Sequence, residues 1–346
     1  MRDESRLIVT YYSALWRPLI ALATALGIRR RTPEQNWLTH GDIRNFVRLA
    51  DFEVVRTEQK VLFPVRIPLL SGLVNRFLAP LPLFSSLCLV NVLVARPRPR
   101  PMPAERRPSV SIVVPARNEA GNIDAIVDRL PAMGPEDELI FVEGGSSDDT
   151  WRRIQRLEGV HDGRLRIRIA QQEGTGKGDA VRKGFAMARN EVLMILDADL
   201  SVPPEDLPKF YAALVSGKGE FINGSRLVYP MERRAMRFLN LLGNKFFAMA
   251  FSFVLAQDVK DTLCGTKALM RARYERLAAE RAYFGEFDPF GDFDLLFGAA
   301  RMGLAIVEVP ITYRERTYGE TNISRWRHGA LLFAMLAFGA RRLKFV

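Results

Sequence analysis

From residue 109 onward, short runs of aliphatic and β-branched residues alternate with longer stretches whose apolar positions recur at helical spacing. The runs at 110–114, 139–142, 165–170 and 192–196 read as buried strands, and 120–130, 149–157 and 179–188 as amphipathic helices. Buried strands need cover above and below. The order strand, helix, strand therefore predicts an α/β fold with a mostly parallel, Rossmann-like sheet and helices on both faces. Its ligand crevice lies at the carboxyl ends of the strands.

The preceding third is different in kind. Residues 96–108 (RPRPRPMPAERRP) are proline-rich and basic and read as a semi-rigid connection. The expected organisation is a small α+β segment at 1–97, a linker at 98–108 and the large domain at 109–346. Residues 77–95 carry no charge and have the length of a membrane span, but Pro80 and Pro82 interrupt a helix, and 87–95 reads as a buried strand. Residues 1–107 hold 17 Lys and Arg against 8 Asp and Glu, and the rest hold 33 against 31, so the basic excess sits at the front. The arginines are scattered, with no helix-turn-helix, finger or RNA-binding signature. Nucleic acid is not expected as a partner, whereas an anionic membrane face suits such a surface. Cys88 and Cys264 are far apart and lack metal-ligand spacing, so neither a disulfide framework nor a zinc site is expected. Met1 to Arg6 leads into no small-residue cleavage site. The expected location is peripheral, on the cytoplasmic face of the cell membrane.

The run at 192–196 leads straight into Asp197-Ala198-Asp199, whose alternation puts both carboxylates on one side. Two acids this close repel unless a cation sits beside them, and all-oxygen donors suit Mg2+ or Mn2+ completed by phosphate oxygens and water. Taken alone, the pair also reads as an acidic cap for the helix beginning near Pro204. Pro115-Ala116-Arg117-Asn118-Glu119 follows the first strand, and Glu143-Gly144-Gly145-Ser146-Ser147-Asp148-Asp149-Thr150 the second. At that edge glycines admit a ligand to the backbone and carboxylates accept from ribose hydroxyls or base amides, although each segment is also an ordinary capped turn. Gly174-Thr175-Gly176-Lys177-Gly178 lacks the spacing and hydroxyl of a Walker loop. Lys177 either reaches a phosphate or is solvated at a helix start.

The succession VVPARNE, EGGSSDDT, GKGDAVRKG, LDADLS, NGSR, DTLCGTKALMR, FGDFDLLFGAARMG and EVPITYRERTYGETNI resembles the family 2 glycosyltransferases of the GT-A fold, from about Ser109 to the end. The polyprenyl-phosphate branch, the dolichol-phosphate mannosyltransferase-like enzymes, matches best. The resemblance implies metal-dependent, inverting transfer of a sugar from a nucleotide-diphosphate sugar to a polyprenyl phosphate. By the same likeness Pro115, Arg117 and Glu119 sit at the nucleotide, Glu143 faces ribose or base, Asp197 and Asp199 hold the metal, and Arg226 meets a donor or acceptor phosphate. Glu143-Gly144 stands where members often carry two consecutive Asp.

Parting a sugar from a diphosphate builds negative charge on the leaving group, which a metal with Arg or Lys offsets. A lipid phosphate acceptor is already ionised, whereas a hydroxyl acceptor needs a carboxylate base. Asp292 and Asp294 are the candidate carboxylates, with Asp292 also suited to cap a helix at 293–302. Arg314 and Arg316, beyond a strand at 305–311, either clamp a phosphate as forked donors or lie on the surface. The apolar stretches 238–256 and 329–340 are too polar or too short to span a membrane. They suit a bilayer interface or, alternatively, a packed core or a contact in an oligomer.

Residues 1–97, from Asn36-Trp37-Leu38-Thr39 through Ala50-Asp51-Phe52-Glu53-Val54-Val55 to the strand near Cys88, resemble the C-terminal third of a class I S-adenosylmethionine methyltransferase. They hold no glycine-rich cofactor turn, so methyl transfer is not expected. A remnant of a fused methyltransferase, or a start codon placed too late, is. Two other functions stay open: transfer to a saccharide or lipid hydroxyl in cell-envelope polysaccharide synthesis, and a non-catalytic regulator that binds sugar nucleotides.

Overall fold

The computed structural model describes residues 5–32, 36–103, 105–158, 165–226, 238–285, 290–291, 293–312, 314, 318 and 325–346. The chain divides into two compact units, residues 1–99 with 340–346, and residues 100–339.

The first unit contains β1 (Leu7–Tyr12), α1 (Arg17–Ala25), α2 (His40–Leu49), β2 (Phe52–Lys60), α3 (Leu70–Leu73), α4 (Pro82–Ser85) and β3 (Val90–Pro97). The strands form an antiparallel sheet in the order β1-β3-β2. Thr39 starts α2 through a capping box: its hydroxyl accepts from Asp42 N–H, and the Asp42 carboxylate accepts from Thr39 N–H at 2.8 Å. Ile43 and Val47, four apart and so on one face of α2, then pack on Leu93 and Ala95 of β3. The charge-free stretch breaks where its prolines stand. Pro82 opens a helix of only 4 residues, and β3 begins at Val90 instead of residue 87. No helix among the described residues is long and apolar enough to cross a membrane.

The second unit runs β4 (Val110–Ala116), α5 (Ile123–Arg129), β5 (Asp137–Glu143), α6 (Thr150–Arg156), β6 (Leu165–Gln171), α7 (Lys177–Met187), β7 (Val192–Ile195), α8 (Leu207–Val215), β8 (Phe221–Ser225), α9 (Phe238–Leu255), β9 (Lys267–Met270), α10 (Arg271–Ala279), α11 (Phe293–Arg301), β10 (Ile306–Pro310) and α12 (Arg325–Gly339). Seven strands pair in the order β10-β8-β9-β7-β4-β5-β6, and only β9 runs against the others. The alternation of β4 shows why helices cover both faces. Val110, Ile112 and Val114 join a core with Ile123 and Ile126 of α5 and Phe210 of α8, while Val113 lies under Gly184 of α7. At the far edge the Asp137 carboxylate accepts from the backbone N–H groups of Val110 (2.9 Å), Met133 (2.7 Å) and Gly134 (3.0 Å), which ties β4 to β5.

The two long apolar stretches become α9 and α12, and phenylalanines join both to α11. Ring centroids lie 4.9 Å apart for Phe247 and Phe333, 5.3 Å for Phe251 and Phe293, and 6.3 Å for Phe297 and Phe338. Much of their greasiness is therefore used in packing, although Phe246, Met249 and Phe333 stay exposed.

Candidate active site

Because β4, β5, β6 and β7 run parallel, the loops at their carboxyl ends gather at one edge. A cleft of about 360 Å3 opens there, lined by Pro115, Arg117, Glu119, Gly144, Gln172, Lys177, Asp197 and Asp199 among others. Asn118 clasps the first two loops together. Its N–H donates to Ser146 Oγ at 3.0 Å and its Oδ1 accepts from Ser147 N–H at 2.8 Å. To do so it sits in the left-handed region at φ 57°, which Asn tolerates better than most residues. Glu119 is buried. Its N–H donates to Thr150 Oγ1 at 2.9 Å and its carboxylate accepts from Asn122 Nδ2 at 2.7 Å.

Glu143 lies beneath this loop and does not line the cleft. It is 1% exposed, and its carboxylate accepts from Ser146 N–H and, at 3.1 Å, from Gln171 Nε2. Burial pushes its pKa up, but hydrogen bonds from Ser146, Gln171 and Gly145 outweigh burial and hold it below the usual carboxylate value. The residue expected to touch ribose or base thus shapes the loop from below, and Gly144 is what faces the cavity.

The acidic pair leaves β7 as expected. Lys177, the first residue of α7, places Nζ 2.5 Å from Asp197 Oδ1, with both side chains about one quarter exposed at 27% and 25%. Burial pushes the Asp197 pKa up, yet the Lys177 charge and hydrogen bond, helped by Lys267 and Arg226, hold it below the ordinary value. Asp199 Oδ1 accepts from Ser201 N–H at 2.9 Å. Between them Leu200 sits at φ 54°, a conformation that costs a non-glycine residue about 1 kcal/mol or more and is concentrated at functional turns. Arg314 N–H donates to Ser201 O at 3.0 Å, which brings one predicted phosphate clamp beside this turn.

The donor set fits a hard divalent ion. Two carboxylates supply charged oxygens, and among the described residues no group of three or more His, Cys, Asp or Glu could hold a metal. An ion here would complete its shell with water and a diphosphate, as Mg2+ and Mn2+ do. Lys177 would have to release Asp197.

Behind the acidic pair, outside the residues that line the cleft, the stretch 261–267 (DTLCGTK) forms a back wall. Asp261 holds the Arg226 guanidinium in bidentate fashion, at 2.7 Å to Nε and 2.8 Å to the terminal nitrogen, and accepts from the N–H groups of Arg226 and Leu263 at 3.0 Å. Burial pushes the Asp261 pKa up, and Arg226 more than reverses that. Lys267, 1% exposed, donates to Cys264 O at 2.6 Å. Gly265 presses on the acidic pair itself: a Cβ built on it would land on Asp197 Oδ2 and Lys177 Nζ. The sequence reading assigned no role to Asp261, Gly265 or Lys267. The available signal was an acid, a glycine and a lysine inside one motif.

Gly178 and Gly291 touch through their backbones, since a Cβ on either would strike the other's main chain. The lysine turn therefore abuts the segment before α11. Asp294, in the first turn of α11, does not line the cleft. It is ion-paired with Arg281 Nε at 3.1 Å, and the same guanidinium donates to Tyr274 Oη at 3.3 Å. Asp292 and Arg316 lie outside the described residues.

Known proteins resemble this chain in sequence and fold. The chain is 30% identical over 241 residues to the dolichol-phosphate mannosyltransferase of Pyrococcus furiosus, a match that covers 68% of this chain and 64% of that protein. It is 31% identical over 226 residues to the dolichyl-phosphate hexose transferase of Haloferax volcanii, covering 64% of this chain and 90% of that relative. Among solved structures, glucosyl-3-phosphoglycerate synthase from Mycobacterium tuberculosis, in complex with Mn2+, uridine diphosphate and glucosyl-3-phosphoglycerate, aligns with a TM-score of 0.50 at 24% identity over 68% of this chain and 80% of that one, which shows the shared fold. Residues 111–277 match the model of glycosyl transferase family 2, from the first strand through the cleft to its back wall; the chain belongs to that family and is a glycosyltransferase.

Proposed function

We propose that the chain moves a hexose from a nucleotide-diphosphate sugar to a polyprenyl phosphate, with inversion, using Mg2+ or Mn2+ held by Asp197 and Asp199. The observation that carries this reading is the acidic pair at the end of β7, with Lys177 on Asp197 and Gly265 against both. A bound divalent cation supplies Lewis-acid stabilisation of the departing diphosphate. Lys177, once released from Asp197, and Arg226, oriented by Asp261, add positive charge where the leaving group and the acceptor phosphate gather negative charge. Pro115, Arg117, Glu119 and the loop that Glu143 shapes receive the nucleoside. Arg314 and Arg316 engage phosphate. The domain at 109–346 carries this chemistry, and the protein works peripherally at the cytoplasmic face of a membrane.

A lipid phosphate needs no general base, which agrees with Asp294 being engaged by Arg281 and with the names of the two relatives above. Asp292 is the carboxylate that a hydroxyl acceptor would call on. The test is to incubate the full chain with a panel of nucleotide sugars, Mn2+ and undecaprenyl phosphate, and to weigh the lipid product. A new glycolipid that vanishes with EDTA and with Asp199→Ala is expected. Equal product from Asp199→Ala would refute the metal assignment, and transfer to hydroxyl acceptors alone would refute the lipid phosphate.

A further inference from the structure

We propose that the first unit is a membrane-docking module, whose bilayer-facing surface is built by α1 and residues 61–89 and whose partner is an anionic lipid surface. The choice of a bilayer over a protein rests in part on the lipid acceptor proposed above.

The helix α1 reads RPLIALATA, and none of its residues is buried. Leu19 is 55% exposed, Leu22 57%, and just beyond the helix Leu26 64% and Ile28 77%. A helix this short gains little from propensity alone and is normally held by burying an apolar face. Residues 61–89 present a second set, with Leu69 86% exposed, Leu73 56% and Leu83 77%. Leu69 also sits at φ 65°, so the backbone tolerates strain at a tip that turns a leucine outward. The two sets are fastened together. Trp16 Nε1 donates to Leu87 O and Ser13 N–H to Leu89 O, both at 2.8 Å, while Phe63 and Asn75 exchange two hydrogen bonds of 2.8 Å at the base of the Leu69 loop.

Charge identifies the occupant. Residues 5–32 and 61–89 contain seven arginines and no Asp or Glu. Arg17, Arg30, Arg31, Arg66 and Arg76 are exposed. The described acids of this unit, Asp42, Asp51, Glu53 and Glu58, lie on α2, on β2 or between them. Exposed leucines and exposed arginines with no acid among the described residues of these two segments suit an interface of acyl chains and anionic headgroups. A second copy of the chain would instead bring like charge against like.

Flotation of the full chain with vesicles tests this. The protein should float with phosphatidylcholine vesicles containing about one third phosphatidylglycerol, not with phosphatidylcholine alone, and flotation should weaken at about 0.5 M salt. Arg30→Gln with Arg31→Gln should lower the partition coefficient roughly thirtyfold at low salt. Leu69→Ser, and Leu22→Ser with Leu26→Ser, should release the protein from anionic vesicles. All these residues are exposed, so an unchanged thermal midpoint and unchanged donor hydrolysis report an intact fold. Variants that float like the wild type, or equal flotation on neutral and anionic vesicles, overturn the proposal. Leucine variants that convert a dimer to monomer without altering flotation also overturn it and assign the face to a second copy. Flotation as expected in a protein that glycosylates no polyprenyl phosphate removes the acceptor reading and leaves the docking surface standing.

Discussion

Replacing Gly265 by alanine adds one methyl group at the most crowded point of the cleft. Gly265 does not occupy the left-handed region, so alanine brings no backbone penalty and the substitution tests space alone. The new Cβ would fall on the Asp197 carboxylate and the Lys177 ammonium. Both are side-chain ends and can swing aside, so the cost to folding is about 1–2 kcal/mol, the lower part of the range for overpacking. The cost to function is larger. Asp197 has a short side chain, and escape from the methyl moves its oxygens by roughly 1 Å, a misplacement that costs about a hundredfold in rate, or about 2.7 kcal/mol. The assay is kcat/KM for glycolipid formation beside Mn2+ affinity by calorimetry and the thermal midpoint. We expect kcat/KM to fall about a hundredfold while the midpoint drops by no more than about 5 °C. A Gly265→Ala protein with wild-type rate and metal affinity would refute the inference that the acidic pair is the working centre.

Three further outcomes follow from other contacts. Lys177→Met removes the ammonium that competes for Asp197, so Mn2+ without nucleotide should bind about fivefold more tightly while turnover falls at least tenfold, as expected when one charge on the diphosphate is lost; weaker metal binding would contradict the pairing. Asp261→Asn leaves the Arg226 guanidinium without its counter-charge and should cost about 3 kcal/mol at pH 7. Because the folded pKa of Asp261 is depressed, its contribution is present above the unfolded value of about 3.9 and is lost as pH falls through the lower folded value. Urea midpoints of the two proteins should therefore begin to converge once pH falls below about 3.9, and a constant difference would exclude the linkage. Asp137→Ala strands two buried N–H groups and one half-buried one at the edge opposite the cleft and should lower stability by about 3 kcal/mol with kcat unchanged, and a urea shift under 1 kcal/mol would show that other groups tie β4 to β5.

The parallel core was legible because its strands are continuous apolar runs and its helices have regular spacing. Those signals are local, and β4, β5, β6 and β7 fall where 110–114, 139–142, 165–170 and 192–196 were expected, within two residues at most ends. The acidic pair was legible for the same reason, since it directly follows such a run. The back wall was not. β9 is four residues long, includes a buried lysine and runs against its neighbours, so neither composition nor periodicity marks it. The fate of Glu143 and Asp294 was hidden because both are decided by partners that local pattern does not pair with them, Ser146 and Gln171 in one case and Arg281 in the other. A carboxylate in a promising motif shows its chemical type in sequence, but whether it faces a ligand or an arginine is a tertiary fact.

The contacts that assemble the cleft are made largely where side chains are missing. Gly265 lets the back wall close on Asp197 and Lys177, and Gly178 with Gly291 lets the lysine turn meet the segment before α11 backbone to backbone. Three motifs separated by long stretches of chain thus converge through residues that carry no chemistry themselves. A side chain at Gly291 would face both the steric block and a left-handed φ of 82°, so it should disturb the site more than one at Gly265, where only space is lacking. Gly291→Ala should therefore reduce both the thermal midpoint and kcat/KM, in contrast to the selective loss of activity expected for Gly265→Ala. Comparing the two variants in the same melting and transfer assays separates crowding from backbone strain. Identical behaviour would mean that the two glycines do not play these different parts.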